Sequence, residues 1–235
     1  MKAKKCNNKQ YNYKGVAMNI NGLITVSPDQ TDLIQDLIVW MGKVYETEPY
    51  TQAFLEGIRA KGDQVEQISQ TIMRSFITSG APVKRVYCTP DTNGCFIGYQ
   101  RSEQDKPSTY YEQLSMDAVK EDPCLGDKQA GLVFLQQTIM WPISDFEWYP
   151  DVVGDKDYIH IVNIGVKKEF QHTGTMNELF KPVLAYAQEQ GLPVFLETYS
   201  DELEAMYQHY GFTTLEVLES PTIPLKERCM MFPAN

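Results

Sequence analysis

A short loop in the C-terminal third has the features of an anion site. A β-rich run, residues 158–166, is followed by the loop Gln171-His172-Thr173-Gly174-Thr175 and then by a predicted helix that ends near Gln190. The first N–H groups of a helix have no partners within it, and together with the helix dipole they bind phosphate groups. The loop matches neither a Walker A sequence nor GxGxxG, and most single glycines at a helix start only make a turn. Its meaning therefore depends on its neighbours.

His160 is the histidine best placed for proton transfer, because it lies on this β-rich run six residues before Val166. Strict alternation along a strand would put it on one face with Val162, Ile164 and Val166. Imidazole titrates near neutral pH, so it can take a proton from an ammonium group directly or through water. A hydrogen-bonded structural histidine fits the sequence equally well. The rival bases are Asp145, Glu147 and Asp157.

The cysteines and histidines do not form the clusters that a metal site needs. The chain has five Cys and three His, with no close Cys-x-x-Cys or Cys/His spacing. An odd, scattered set of cysteines indicates reduced thiols, and no metal is expected. Cys88 and Cys95 flank a predicted turn, so a position opposite each other across a hairpin is one interpretation, and two small buried residues is the one that we favour.

Composition and charge exclude several classes of protein. The chain has 235 residues with 43% hydrophobic and 22% charged residues, which is typical of a soluble globular protein. Its net charge is −10, although residues 1–14 carry five Lys and no acid, and residues 101–160 hold twelve acids against five bases. Such a body binds nucleic acid poorly and suits a cationic amine, although solubility alone also explains it. Without a long apolar run or a secretory signal, no membrane association and a cytoplasmic location are predicted.

Hydrophobic periodicity and turn residues predict the elements that must position these groups. In chain order they are a strand at 22–27, helices from 29 or 31 to 45 and at 64–78, a hairpin of 83–88 with 95–100, helices at 109–118 and 129–140, a strand at 158–166, a helix ending near 190, a strand at 193–199, a short helix capped by Ser200 or Asp201, and strands at 213–218 and 229–232. The order strand, helix, strand after residue 158 implies a parallel pair joined by a crossover helix.

Several residues around the loop form a recognisable pattern. They are Val166 at the strand end, Gln171 and Gly174 in the loop, the run Leu196-Glu197-Thr198 after an apolar strand, and Tyr207 followed by Gly211-Phe212. Over about residues 157–217 this pattern resembles the acyl-CoA-binding half of a GNAT N-acetyltransferase. The N-terminal half matches that family only in outline.

The resemblance implies an α/β (α+β) fold with a GNAT-like mixed central sheet and helices on both faces. We expect a basic N-terminal tail at residues 1–20 and a single acetyltransferase domain at 21–235. An acidic inserted segment is expected at about residues 101–150.

The resemblance also implies an acyltransferase that moves an acetyl group from acetyl-CoA to a primary amine of a small molecule. Direct transfer in a ternary complex is expected, because no Cys lies beside a His to form a covalent intermediate. Tyr207 is implied as the acid that protonates the CoA sulfur, and His160 as the base. The implied cofactor-binding residues are Ile164, Val166, Gln171, His172, Gly174, Thr175, Met176 and Ser200, the first two through backbone groups that meet the pantetheine arm.

The sequence departs from the family pattern in the phosphate loop. His172 and Met176 stand where the family usually has Gly, and Ser200 replaces a frequent Asn. A GNAT-fold protein that binds acyl-CoA without turnover therefore remains an alternative. Tyr207 as a packing residue, a peptide as the acceptor, and a homodimer also remain open.

Overall fold

A seven-stranded mixed sheet forms the centre of the protein. The computed structural model describes residues 17–101, 127–140, 143, 148, 150–154 and 156–234. The strands are β1 Ile24–Thr25, β2 Val86–Cys88, β3 Gly94–Gln100, β4 Ile159–Val166, β5 Val194–Thr198, β6 Thr213–Glu219 and β7 Lys226–Phe232. Their order across the sheet is β1-β2-β3-β4-β5-β7-β6. The β4–β5 pair is parallel, and the other pairs are antiparallel.

Helices cover both faces of this sheet, as the fold class predicted from the sequence requires. They are α1 Thr31–Tyr45, α2 Pro49–Gly57, α3 Asp63–Gly80, α4 Asp127–Met140, α5 Pro150–Val153, α6 Thr175–Gln190 and α7 Asp201–His209. On one face Phe96 of β3 packs in a core with Leu179 and Phe180 of α6. On the other face its neighbour Ile97 packs with residues of α1 and α3. Successive strand residues point to opposite faces, so one strand serves both cores.

The parallel pair β4 and β5 is joined only at its beginning. Residues Ile159–Ile161 pair with Val194–Leu196, and the crossover between the two strands is α6. Beyond Ile161 and Leu196 the two strands no longer pair, while β5 continues its ladder with β7 as far as Thr198. The sheet therefore contains a fork, which opens towards the carboxyl ends of β4 and β5.

A β-bulge on β4 changes which residues share a face. Gly98 pairs with Ile161 and Ile97 with Asn163, so Val162 is the extra residue. Ile164 packs with the α6 core, as Ile161 does, whereas Val162 packs on the opposite side. The expectation that His160 shares a face with Ile164 and Val166 is therefore wrong, because the bulge reverses the alternation. Gly98 is needed here, since a Cβ would lie 2.6 Å from the His160 carbonyl oxygen.

Most of the elements predicted from the sequence are present. The β2–β3 hairpin places Cys88 opposite Cys95, both of them buried free thiols. The helix α6 passes through Pro182 and ends at Gly191, which has a φ of +67°. The helix α2 was not predicted, and the helix predicted at 109–118 lies outside the described residues.

Met18 and Ile20, which lie near the end of the predicted N-terminal tail, are buried in the α6 core.

In the part of the chain that the structure describes, every helix is too short or too polar to span a bilayer.

Candidate active site

The fork between β4 and β5 opens into a cleft of about 690 Å³. Its walls come from the free ends of both strands, the corner between α1 and α2, the loop before α6, and α7. The residues that line it include Tyr45, Glu48, Ile164, Val166, Gln171, His172, Gly174, Met176, Glu197, Tyr199, Ser200, Glu202 and Tyr207. All the residues proposed from the sequence line this cleft except His160 and Thr175.

At one end of the cleft lies the N-terminus of α6. The carbonyl of Gly174 accepts hydrogen bonds from the N–H groups of Asn177 (2.8 Å) and Glu178 (3.2 Å). The N–H groups of Thr175 and Met176, earlier in the first turn, have no acceptor among the described residues. Gly174 has a φ of +104°, and no atom lies within 4 Å of where its Cβ would be. This end can therefore receive an anion.

The two bulky residues of the loop both line the cleft. His172 is exposed and adopts a φ of +63°, the left-handed conformation that a glycine would take more easily. Met176 is half-buried and packs against the α6 core. The backbone at His172 is therefore strained.

The free edge of β4 runs from the bulge to the loop. The Val166 carbonyl accepts a hydrogen bond from Gln171 Nε2 at 3.3 Å. At Ile164 the N–H donates to the Tyr45 hydroxyl (3.0 Å), and that hydroxyl donates to the Ile164 carbonyl (3.3 Å). Both backbone groups proposed to meet the pantetheine arm at Ile164 are thus paired with one side chain of α1.

Tyr207 belongs to the cleft wall formed by α7. Its side chain is 3% exposed and its ring stacks on Phe180, with centroids 5.6 Å apart. Burial raises its pKa well above the usual range, so the hydroxyl holds its proton at neutral pH. Tyr207 is therefore a packing residue that also lines the cleft with its hydroxyl protonated.

Glu48 is the acidic residue that sequence reasoning missed. It is the N-cap of α2, where its Oε2 accepts a hydrogen bond from the Thr51 N–H at 3.0 Å. Burial raises the pKa of this carboxyl above its ordinary value of 4.5, which makes it a better base than an exposed glutamate. The available signal in the sequence was an acidic residue directly before Pro49, a typical helix start.

His160 lies behind the cleft wall. Its Nε2 is 2.8 Å from Oε2 of Glu197 on β5, and its Nδ1 is 3.3 Å from the Tyr99 hydroxyl. The other oxygen of Glu197 accepts a hydrogen bond from Trp148 Nε1 at 2.7 Å. The side chains of His160 and Glu197 are 1% and 3% exposed. This pair joins β4 to β5 at the point where their backbone pairing ends.

The charge of the cleft is negative. Three glutamates, Glu48, Glu197 and Glu202, belong to its walls, and none of the described lining residues is Lys or Arg. Of the rival bases, Asp157 is half-buried outside the cleft lining, and Asp145 and Glu147 lie outside the described residues. Among the described residues no group of His, Cys, Asp and Glu is arranged to hold a metal ion.

Known proteins resemble this chain in sequence over residues 130–212 and in fold. Residues 130–212 match the model of the acetyltransferase (GNAT) family. A sequence search finds no matching curated protein. Solved structures share the fold at low sequence identity. A histone acetyltransferase HPA2 and related acetyltransferase from Corynebacterium glutamicum has a TM-score of 0.52 and 14% identity over 91% of this chain and 96% of that one.

Two insect enzymes are similar in the same way. The polyamine N-acetyltransferase of Drosophila melanogaster, which forms N-acetylagmatine, has a TM-score of 0.53 and 12% identity over 90% of this chain and 98% of that one. Arylalkylamine N-acetyltransferase 2 of Aedes aegypti has a TM-score of 0.52 and 11% identity over 91% and 98%. The resemblance inferred from the sequence is thus confirmed: residues 130–212 match the acetyltransferase (GNAT) family model, and the chain shares the fold of these solved acetyltransferases.

Proposed function

We propose that this protein transfers the acetyl group of acetyl-CoA to a primary amine of a small molecule, directly and within a ternary complex. The observation that carries the proposal is the cleft at the β4–β5 fork. Its lining brings together the N-terminus of α6 with unpaired N–H groups, a tyrosine that is protonated at neutral pH, and carboxylates.

The described residues fit the cofactor that the family uses. The backbone N–H groups of Thr175 and Met176 would hold the pyrophosphate, with Gly174 allowing close approach. The free edge of β4 at Ile164 and Val166 would meet the amides of the pantetheine arm. When bound, acetyl-CoA supplies the activated acetyl thioester.

The acceptor is a cation before it reacts. Of the lining glutamates, Glu48 and Glu202 are not bonded to His160, and none of the described lining residues is Lys or Arg, so the cleft suits an ammonium group. The related solved structures include acetyltransferases for agmatine, polyamines and arylalkylamines, all of which are amines. These three structures support a small amine as the acceptor, whereas the histone acetyltransferase among the similar structures keeps a peptide as the alternative.

The amine must lose a proton before it can attack the acetyl carbon. We assign that proton to Glu48, because it lines the cleft and burial raises its pKa. His160, the base expected from the sequence, does not line the cleft and is bonded to Glu197. In this mechanism His160 acts only by holding Glu197 in place.

The leaving sulfur needs a proton, and Tyr207 can supply it. Its hydroxyl is protonated at neutral pH and lies on the cleft wall. None of the described cysteines, Cys88, Cys95 and Cys229, lines the cleft. That supports direct transfer over an acyl-cysteine intermediate.

Binding of acyl-CoA without turnover is the second candidate. It is favoured by His172 and Met176, which stand in the loop where the family usually has glycine. A catalytic protein and a binding protein should both show a rise in melting temperature with acetyl-CoA.

The test combines that thermal shift with an assay for released CoA thiol. The acceptors should include agmatine, a polyamine, an arylalkylamine and a short peptide with a free N-terminus. We expect a thermal shift and thiol release with at least one small amine. A thermal shift without thiol release from any acceptor would favour the binding protein, and the absence of both would contradict both functions.

A further inference from the structure

The Tyr45 hydroxyl takes the place of a neighbouring strand at the free edge of β4. It accepts a hydrogen bond from the Ile164 N–H at 3.0 Å and donates one to the carbonyl of the same residue at 3.3 Å. A strand partner satisfies a residue in the same way, through one donor and one acceptor. A single side chain thus closes the strand edge where β4 has separated from β5.

The packing of α1 on β4 holds Tyr45 beside the free strand edge. Tyr45 is the last residue of α1, which packs on β4 through Trp40 and Met41 near Gly165. Burial raises the pKa of the Tyr45 hydroxyl, so it remains a neutral donor and acceptor at physiological pH. Both Tyr45 and Ile164 line the cleft, so the two hydrogen bonds lie along its wall.

An extended ligand with amide groups would compete for the same backbone atoms. Ligands of this kind bind a free strand edge by adding backbone-like hydrogen bonds. The pantetheine arm of CoA carries two amides, whereas its nucleotide half carries none of that type. The competition therefore affects only one half of the cofactor.

We infer that Tyr45 covers Ile164 in the free protein and must leave this edge when the pantetheine arm binds, so that Tyr45 lowers the affinity for acyl-CoA. This inference rests on the proposed binding of acyl-CoA in the cleft. Tyr45 is a positioning residue in this account, since it acts on the strand edge and not on the reacting atoms. The contact also explains how a free strand edge in the cleft is kept from pairing with other peptides.

The variant Tyr45→Phe keeps the ring and removes only the hydroxyl. We expect its dissociation constant for CoA, measured by calorimetry, to fall about fivefold, which corresponds to about 1 kcal/mol. The gain is modest because water in the cleft satisfies the freed Ile164 groups in the variant. The dissociation constant for adenosine 3′,5′-bisphosphate, which lacks the pantetheine arm, should be the same in both proteins.

Tyr186→Phe is the matched control. The Tyr186 hydroxyl donates to Gln100 at 2.9 Å, and the residue does not line the cleft. That variant should bind CoA as the wild type does. Unchanged or weaker CoA binding by Tyr45→Phe would overturn the inference while leaving the proposed function intact. Equal tightening for CoA and for the bisphosphate would also overturn it. If the wild type and Tyr45→Phe both fail to bind CoA, the inference and the proposed function are both overturned.

Discussion

The pair His160–Glu197 should contribute more to stability than an ordinary polar contact. It joins β4 to β5 at the fork, and both side chains are almost fully buried. Replacing Glu197 by Ala removes the partner of His160 Nε2 (2.8 Å) and the acceptor of Trp148 Nε1 (2.7 Å). Each buried group that loses its partner costs about 1–3 kcal/mol, so two of them cost about 2–6 kcal/mol.

We therefore expect Glu197→Ala to lower the free energy of unfolding by about 2–6 kcal/mol. Glu197→Gln should lose about 1.5 kcal/mol or less, because its carbonyl can accept from Trp148 and its amide can donate to His160. The assay is urea unfolding followed by far-UV circular dichroism, with the slope against urea checked for a constant change in exposed surface. Glu219→Ala is the surface control, since the exposed Glu219–Lys226 pair is screened by solvent and should contribute little to stability.

The reasoning would be refuted if Glu197→Ala lost no more stability than Glu197→Gln. That result would mean that His160 and Trp148 find equally good partners without Glu197. A loss below about 1 kcal/mol in both variants would also show that the fork is held by backbone pairing alone.

Three further changes test the chemistry of the cleft. Tyr207→Phe keeps the stacking on Phe180, so CoA binding should stay within about twofold while kcat falls about a hundredfold; unchanged kcat with chemistry rate-limiting would exclude Tyr207 as the acid. Gly174→Asp should weaken acetyl-CoA binding about tenfold or more through repulsion of the pyrophosphate, whereas Gly174→Asn, which carries the same backbone strain without the charge, should retain most of the thermal shift. Burial raises the pKa of Glu48 in the folded protein above its ordinary value of 4.5. Above the raised pKa the buried carboxylate is charged and lowers the free energy of unfolding, and this loss disappears as the pH falls through the raised pKa towards 4.5. Glu48→Gln should accordingly raise the melting temperature near pH 7, with a gain that disappears near pH 4, and equal gains at both values would contradict the shift.

Local patterns were sufficient to predict most of the secondary structure. Helices α1, α3 and α6 have apolar residues at helical spacing, and the β2–β3 hairpin has Asn93-Gly94 at its turn. The short helix α2 begins at Pro49 and has a weaker apolar stripe, so it could be found only from its capping residue.

The bulge at Val162 could not be predicted, because both faces of β4 carry apolar residues and nothing in the local pattern marks an extra residue. The pairing of His160 with Glu197, 37 residues away, depends on the parallel register of β4 and β5. The contact between Tyr45 and Ile164 spans 119 residues and depends on how α1 packs on the sheet. A contiguous pattern that resembles the GNAT family was sufficient to predict that the loop before α6 and Tyr207 belong to one site, and both line the cleft, while their roles stay predictions.

In the proposed function the cleft transfers the acetyl group of acetyl-CoA directly to a small amine, with no acyl-enzyme intermediate. The most direct measurement is mass spectrometry of both the amine and the intact protein during a single turnover with isotope-labelled acetyl-CoA. We expect the label to pass to the amine while the protein never gains an acetyl group, and we expect Tyr207→Phe to slow the appearance of the acetylated amine. Label on the protein before it reaches the amine would contradict direct transfer, and an unlabelled amine with every acceptor tested would contradict the proposed activity.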